Sequence, residues 1–177
     1  MKPRWIYSEC KIYVCNFIVS YIPILLVRLF YYRYIMRYGI GKGSCIGRGC
    51  KFNGSGLLSI GENTVINEYC RLDNRASIVI GSNVIIAPEV KLMTADHDMN
   101  HPQCKGRERG IVLEDFVLVG AAAMVLGGAQ MKKGSVLVAH SLLTKSTEAF
   151  GVYQGLPAVY QRQRAHDHAY GKGQPTQ

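Results

Sequence analysis

A bulky apolar residue returns every sixth position along most of this chain, and that period restricts the fold more than any other feature. The series runs Ile40, Ile46, Phe52, Leu58, slips by two to Ile60, Ile66, Leu72, Ile78, and slips again to Ile80, Ile86, Leu92. After an interruption it resumes at Leu113, Val119, Val125, Met131, Leu137 and Leu143. A second register lies two residues before each continuing rung: Ser44, Cys50, Gly56, Thr64, Cys70, Ala76, Val84, Val90, Val117, Ala123, Ala129, Ser135 and Ser141. Every one of these is Gly, Ala, Ser, Thr, Cys or Val. One bulky and one small residue per hexapeptide describe a coil of three flat faces. The bulky residue fills the interior of a triangular prism, and the small one fits where the chain turns a corner. Residues 40–145, less a polar stretch at 95–110, predict an all-β solenoid of about five coils at three hexapeptides per coil.

Composition agrees with one ordered domain. The 177 residues are 48% hydrophobic and 19% charged, which excludes global disorder, and 19 glycines suit short strands and tight turns. Lys and Arg (21) exceed Asp and Glu (12), for a net charge of +9. That balance favours an anionic partner: nucleic acid, a membrane face or a phosphorylated small molecule. No nucleic-acid-binding module accompanies it, so nucleic acid is not expected. The six cysteines contain no C-x₂-C pair and read as reduced thiols, Cys50 and Cys70 as corner fillers. Glu9 and Lys11 interrupt the start of the apolar N-terminal run and no small-residue cleavage site follows, so no signal peptide is expected. A cytoplasmic location follows, with the inner face of a membrane as the variant.

Residues 1–38 form a separate apolar helical segment. From Ile12 to Phe30 only Asn16, Ser20 and Arg28 are polar, yet Pro23 breaks the run. Arg28, Arg33 and Arg37 then recur among Phe30, Tyr31, Tyr32, Tyr34, Ile35, Met36 and Tyr38. Two short helices meeting near Pro23 are expected. They would pack on the protein's own body or oligomer, with peripheral membrane contact through residues 12–38 as the alternative and a true span disfavoured. The polar stretch 165–177 reads as a disordered tail.

The break at 95–110 holds Asp96, His97, Asp98, Asn100, His101, Lys105, Arg107, Glu108 and Arg109. A loop thrown out of a rigid solenoid is where function concentrates. His97 stands at its start, and an imidazole titrates near neutrality, as a general base must. His101 is four residues on, which raises a metal site, but the other three histidines, His140, His166 and His168, all lie well downstream of this pair. No metal is expected.

The pairs Ile40-Gly41, Ile46-Gly47, Ile60-Gly61, Ile80-Gly81 and Val119-Gly120 give the chain a repeated Ile-Gly signature. With Ile66-Asn67, Leu72-Asp73, Thr94-Ala95-Asp96-His97-Asp98, Ala139-His140-Ser141, Thr144-Lys145 and Gly155-Leu156-Pro157-Ala158, it resembles the hexapeptide-repeat acyltransferases, sugar and capsule O-acetyltransferase branch. The match runs over residues 39–164. The resemblance implies a left-handed parallel β-helix, an exception to right-handed crossovers. It implies a homotrimer with active sites between subunits, using acetyl-CoA as co-substrate and a sugar or glycan hydroxyl as acceptor. His97 then matches the general base, Asn67 an acceptor-binding amide, and Asp73 an acceptor-contacting carboxylate, with Asn74 left open as the alternative. Ala121 and Ala139 match the pantetheine channel, while Thr144, Lys145 and Arg162 match cofactor contacts. Departures are Glu114 and Lys132 in place of Gly, Leu118 of Trp, His140 of Gly and Val159 of a basic residue. An antibiotic or other small acceptor is the rival substrate, and a catalytically silent trimeric scaffold the rival function.

Overall fold

The computed structural model describes residues 3–164; the expected disordered tail lies outside them. Helix α1 (Pro3–Phe17) is followed by a 3₁₀ turn (Val19–Tyr21), α2 (Leu25–Phe30) and a π turn (Tyr31–Ile35), with Pro23 between the two helices. The first coil follows as β1 (Gly39–Ile40), β2 (Cys45–Ile46) and β3 (Lys51–Phe52). The second is β4 (Leu58–Ile60), β5 (Val65–Ile66) and β6 (Arg71–Asp73), the third β7 (Ile78–Ile80), β8 (Ile85–Ile86) and β9 (Lys91–Met93). A pair β10 (Ala95–His97) and β11 (Gly106–Glu108) then leaves the stack. The fourth coil is β12 (Ile111–Leu113), β13 (Leu118–Val119) and β14 (Met124–Leu126), the fifth β15 (Gln130–Met131), β16 (Val136–Leu137) and β17 (Leu142–Leu143). A final hairpin, β18 (Gly151–Gly155) and β19 (Ala158–Gln163), ends the described chain.

Each strand pairs in parallel with its counterpart one coil away, building three sheets: a first face β1-β4-β7-β12-β15, a second face from β2 through β5, β8, β13 and β16 to β18, and a third face β3-β6-β9-β14-β17. This is the left-handed parallel β-helix expected from the sequence. Five coils are complete. Part of a sixth lies on top, where Thr147 N donates to Gln130 O and β18 extends the second face. The apolar ladder fills the prism: from Ile46 to Leu143 its members are at most 3% exposed. At about 1.5–3 kcal/mol per buried aliphatic side chain, this column is the main source of stability. Of the small register, Ser44, Cys50, Thr64 and Cys70 are buried just after corners, whereas Gly56 is exposed. All six cysteines are free thiols.

Corners impose a backbone demand. At the edge between second and third faces, the third corner residue has a positive φ in every complete coil: Gly49 (69°), Tyr69 (59°), Glu89 (63°), Ala122 (55°) and His140 (57°). Only glycine adopts this left-handed region freely. The ring of His140 is exposed there, so the Gly-to-His departure is one of several non-glycine corners. The other lost glycines compensate each other. Glu114 and Lys132 occupy the same corner of adjacent coils, and Lys132 Nζ lies 3.2 Å from Glu114 Oε1 while Glu114 Oε2 accepts Lys133 N–H at 2.8 Å.

The N-terminal segment packs against the first coil, whose strand edges would otherwise be bare. Asn16 acts as a surrogate peptide unit: its Nδ2 donates to Phe52 O (2.7 Å) and its Oδ1 accepts from Phe52 N (2.9 Å). Ser20 O accepts from Gly49 N, and the buried Arg28 donates to Ile46 O. Tyr32, Met36 and Tyr38 close the prism beneath Phe52, with ring centroids 5.4 Å (Tyr32) and 5.1 Å (Tyr38) from it. Burial in this layer pushes the Cys15 thiol up to about 12.

Candidate active site

His97 ends β10, at the edge joining the third and first faces, on a hairpin with a clamped neck. Buried Thr94 donates through Oγ1 to Asp73 O and accepts from Ala76 N (3.1 Å), tying the exit to the coil below. Arg109 N donates to Thr94 O (2.8 Å) where the chain returns. Gly127 presses from above: a Cβ there would stand 2.7 Å from Arg109 O and 2.8 Å from Thr94 O. Glycine is required by that close approach. The polar stretch read as a loop is therefore an ordered antiparallel ribbon, with Ala95, Asp96 and His97 opposite Glu108, Arg107 and Gly106.

Cross-strand charges fix the ribbon. Asp96 receives a bidentate pair from Arg107 (2.9 and 3.0 Å) and a third bond from Arg109 (2.8 Å). The Arg107 hydrogen bonds, with Arg109 adding charge, hold the Asp96 carboxyl below the usual carboxylate range. At the tip, His101 Nδ1 accepts Gln103 N–H (3.1 Å), a turn-stabilising role.

His97 is exposed and borders a cavity of about 520 Å³ lined also by Arg75, Asp96, Arg107 and Glu108. Arg75 is the residue sequence reasoning missed. It reaches Asp73 through Nε (2.8 Å) and Nη2 (2.6 Å), and Asp73 is wholly buried. Neighbouring Asn74 is occupied elsewhere, its amide bonded to Asn53 N, Gly54 N and Gly54 O. Of the two adjacent candidates, Asp73 is the one linked to the cavity. The signal for Arg75 was its place two residues after Asp73 at the same corner, but only the returning ribbon shows what it faces.

The remaining candidates divide between two edges. Thr144 and Lys145 leave β17 at the same edge as His97, two coils above it, about 10 Å at one strand spacing per coil. Asn67, Ala121 and Ala139 lie on the other edge of the third face, after β5, β13 and β16. Asn67 Nδ2 donates to Ile86 O (2.9 Å). Ala121 and Ala139 are exposed, and the main chain between them is tight: a Cβ on Gly120 would collide with Ala139 N. Arg162 is exposed on β19, opposite Val152. One copy of the chain thus brings together His97, Asp73, Thr144 and Lys145 on one edge, and Asn67, Ala121 and Ala139 on the next. Among the described residues no group of three His, Cys, Asp or Glu side chains is placed to hold a metal ion.

No family model matches the chain, and no curated protein matches its sequence. Solved structures do. A hexapeptide-repeat acetyltransferase from Vibrio cholerae, complexed with acetyl coenzyme A, superposes with TM-score 0.84 at 21% identity, covering 92% of this chain and 89% of its own. A maltose O-acetyltransferase from Clostridium difficile gives 0.80 at 21% identity, covering 90% and 86%. A galactoside acetyltransferase in complex with coenzyme A gives 0.76 at 20%, covering 88% and 78%. Along nearly its whole length, this chain shares its fold with hexapeptide-repeat acetyltransferases.

Proposed function

We propose that the chain is an acetyl-CoA-dependent O-acetyltransferase acting on a hydroxyl of a sugar or surface-polysaccharide precursor. The observation that carries this reading is the exposed imidazole of His97 on a rigid ribbon beside a cavity with Arg75, itself held by buried Asp73. Structural likeness to enzymes named for maltose and galactoside supports the acceptor class. His97 takes the hydroxyl proton as the acceptor oxygen attacks the thioester carbonyl; the C–O bond forms, the C–S bond breaks, and the proton passes to the coenzyme A thiolate. Arg75 and Arg107 supply positive charge near the carbonyl oxygen or the acceptor. Exposed Ala121 and Ala139 leave room for the pantetheine arm to lie along the main chain, and Thr144, Lys145 and Arg162 meet the phosphates.

The division of these residues between two edges supports a homotrimer in which one subunit's His97 edge faces its neighbour's Ala121 edge. The outward column of the second face, Val65, Ile85, Leu118 and Val136, offers an apolar surface for such packing. In this reading residues 39–164 are the catalytic unit and 1–38 its helical base, working in the cytoplasm. The Glu114–Lys132 pair removes one argument for a silent scaffold, since those replacements are structurally matched.

The test is thiol release from acetyl-CoA over a panel of sugars. His97→Ala is expected to lower kcat by roughly 10²–10⁴ while calorimetric acetyl-CoA affinity stays the same. Near-full turnover by the variant would remove His97 from the mechanism. A parent protein that neither binds acetyl-CoA nor releases thiol would establish the scaffold instead.

A further inference from the structure

The N-terminal helices are apolar on both sides. On α1, Ile12, Cys15 and Asn16 turn toward the first coil, while Ile6, Cys10, Tyr13 and Phe17, at helical spacing, are exposed. A second stripe, Leu26, Phe30 and Tyr34, is 77, 61 and 68% exposed. The outward rings pair with each other, Tyr13 with Phe17 (4.8 Å) and Phe30 with Tyr34 (5.0 Å). Together with Tyr7 and Tyr21, these six rings show on the order of 700 Å² to solvent, at or beyond what the largest patch of an ordinary monomer exposes.

Charge around this surface is predominantly of one sign, with Glu9 the one carboxylate on the two helices. No Asp or Glu occurs between Glu9 and Glu62, whereas Lys11, Arg28, Arg33, Arg37, Lys42, Arg48 and Lys51 fall in that interval. Arg28 is buried on main-chain carbonyls, Ile22 O and Ile46 O, Arg48 pairs with Glu68 (3.0 Å), and the other five reach solvent at least in part. Lys11 and Lys51 sit over the rings of Tyr7 and Phe17 (5.7 and 5.1 Å).

We propose that this helical base is a monotopic docking surface for an anionic lipid bilayer. Tyrosine and phenylalanine beside Lys and Arg are the composition that settles at a headgroup boundary, rings toward the acyl region and cations toward phosphate. Among the described residues no helix is long and apolar enough to cross a membrane, so the helices lie along it. A second copy of the chain is a poor occupant, because two such patches face to face would set mainly cations against cations, with Glu9 the one carboxylate each could offer from its helices. This inference is independent of the catalytic reading.

The experiment is co-sedimentation of the full-length protein with vesicles of three parts phosphatidylcholine to one part phosphatidylglycerol, and with phosphatidylcholine alone. The parent should bind the anionic vesicles about tenfold more tightly or better, and salt should weaken binding. The combined variant Leu26→Ser, Phe30→Ser, Tyr34→Ser removes exposed side chains only, and Arg33→Glu, Arg37→Glu reverses the rim charge; each should lose at least about tenfold in affinity. Failure of the parent to bind anionic vesicles would overturn the proposal, as would unchanged binding by both variants. Light scattering in which the serine variant breaks a larger assembly of the parent would assign the patch to a second copy and overturn it as well.

Discussion

Replacing Asn16 with Leu tests the capping of the first coil, because its cost can be worked from two bonds. The side chain is 9% exposed and the Phe52 residue it serves is 1% exposed, so both partners are cut off from water. Asn16→Leu keeps the branched heavy-atom skeleton of the side chain while leaving Phe52 N–H and C=O without the bonds at 2.9 and 2.7 Å. An orphaned buried polar group costs about 1–3 kcal/mol, so two cost roughly 2–6 kcal/mol, a large part of the ~5–15 kcal/mol a domain possesses. At about 2–4 °C per kcal/mol for a chain of this size, Tm should fall by roughly 4–24 °C. Denaturant unfolding at fixed protein concentration should show a lower midpoint with the slope preserved. Ser20→Ala is the internal control: it removes one bond, Ser20 Oγ to Asn16 O (2.9 Å), and should cost about 0.5–1.5 kcal/mol. A loss below about 1 kcal/mol for Asn16→Leu, or no greater than for Ser20→Ala, would show that the β3 edge does not depend on this amide.

Three further outcomes are expected. His140→Gly relieves a side chain held at φ 57° and should stabilise the fold by about 0.5–1 kcal/mol after the entropy of the added glycine, read as a higher denaturation midpoint. The ribbon should loosen in acid: the folded carboxyl of Asp96 lies below its unfolded value, so its contribution is full above the unfolded value and fades as pH falls through the folded one. Amide shifts of Arg107 and Glu108 followed from pH 6 downward should report that change only below the ordinary carboxylate range of about 4. Lys145→Ala should weaken acetyl-CoA binding about tenfold while kcat holds, since a phosphate contact acts alike in ground and transition states.

The interior was legible because each rung repeats the same physical problem. Ile46, Ile66, Ile86, Val119 and Leu137 fill equivalent positions on one face, and a hydrophobic requirement that recurs is visible as a period. The candidate site was legible only where a side chain announces chemistry. His97 stood out as an imidazole at the break, and the structure sets it on a cavity. Arg75 did not stand out, because its role depends on a ribbon whose return path no repeat encodes. Asn16 was hidden for a similar reason: an amide in an apolar run reads as an interruption until the bare edge of β3 is seen beside it. The left-handed corners at Tyr69, Glu89 and His140 were also invisible, since these residue types carry no conformational signature in the way glycine does.

Capping by the helical base also acts as a ruler. The first coil is fixed to the base by Asn16 and Arg28, and each further coil adds one strand spacing of about 4.8 Å. The His97 ribbon departs from the third coil, so the height of the imidazole above the base comes in whole steps. Lengthening the chain by one coil below Thr94 would raise the His97 imidazole by one step without altering its surroundings. A change of reach that in other architectures needs a redesigned loop would here need only a duplicated segment.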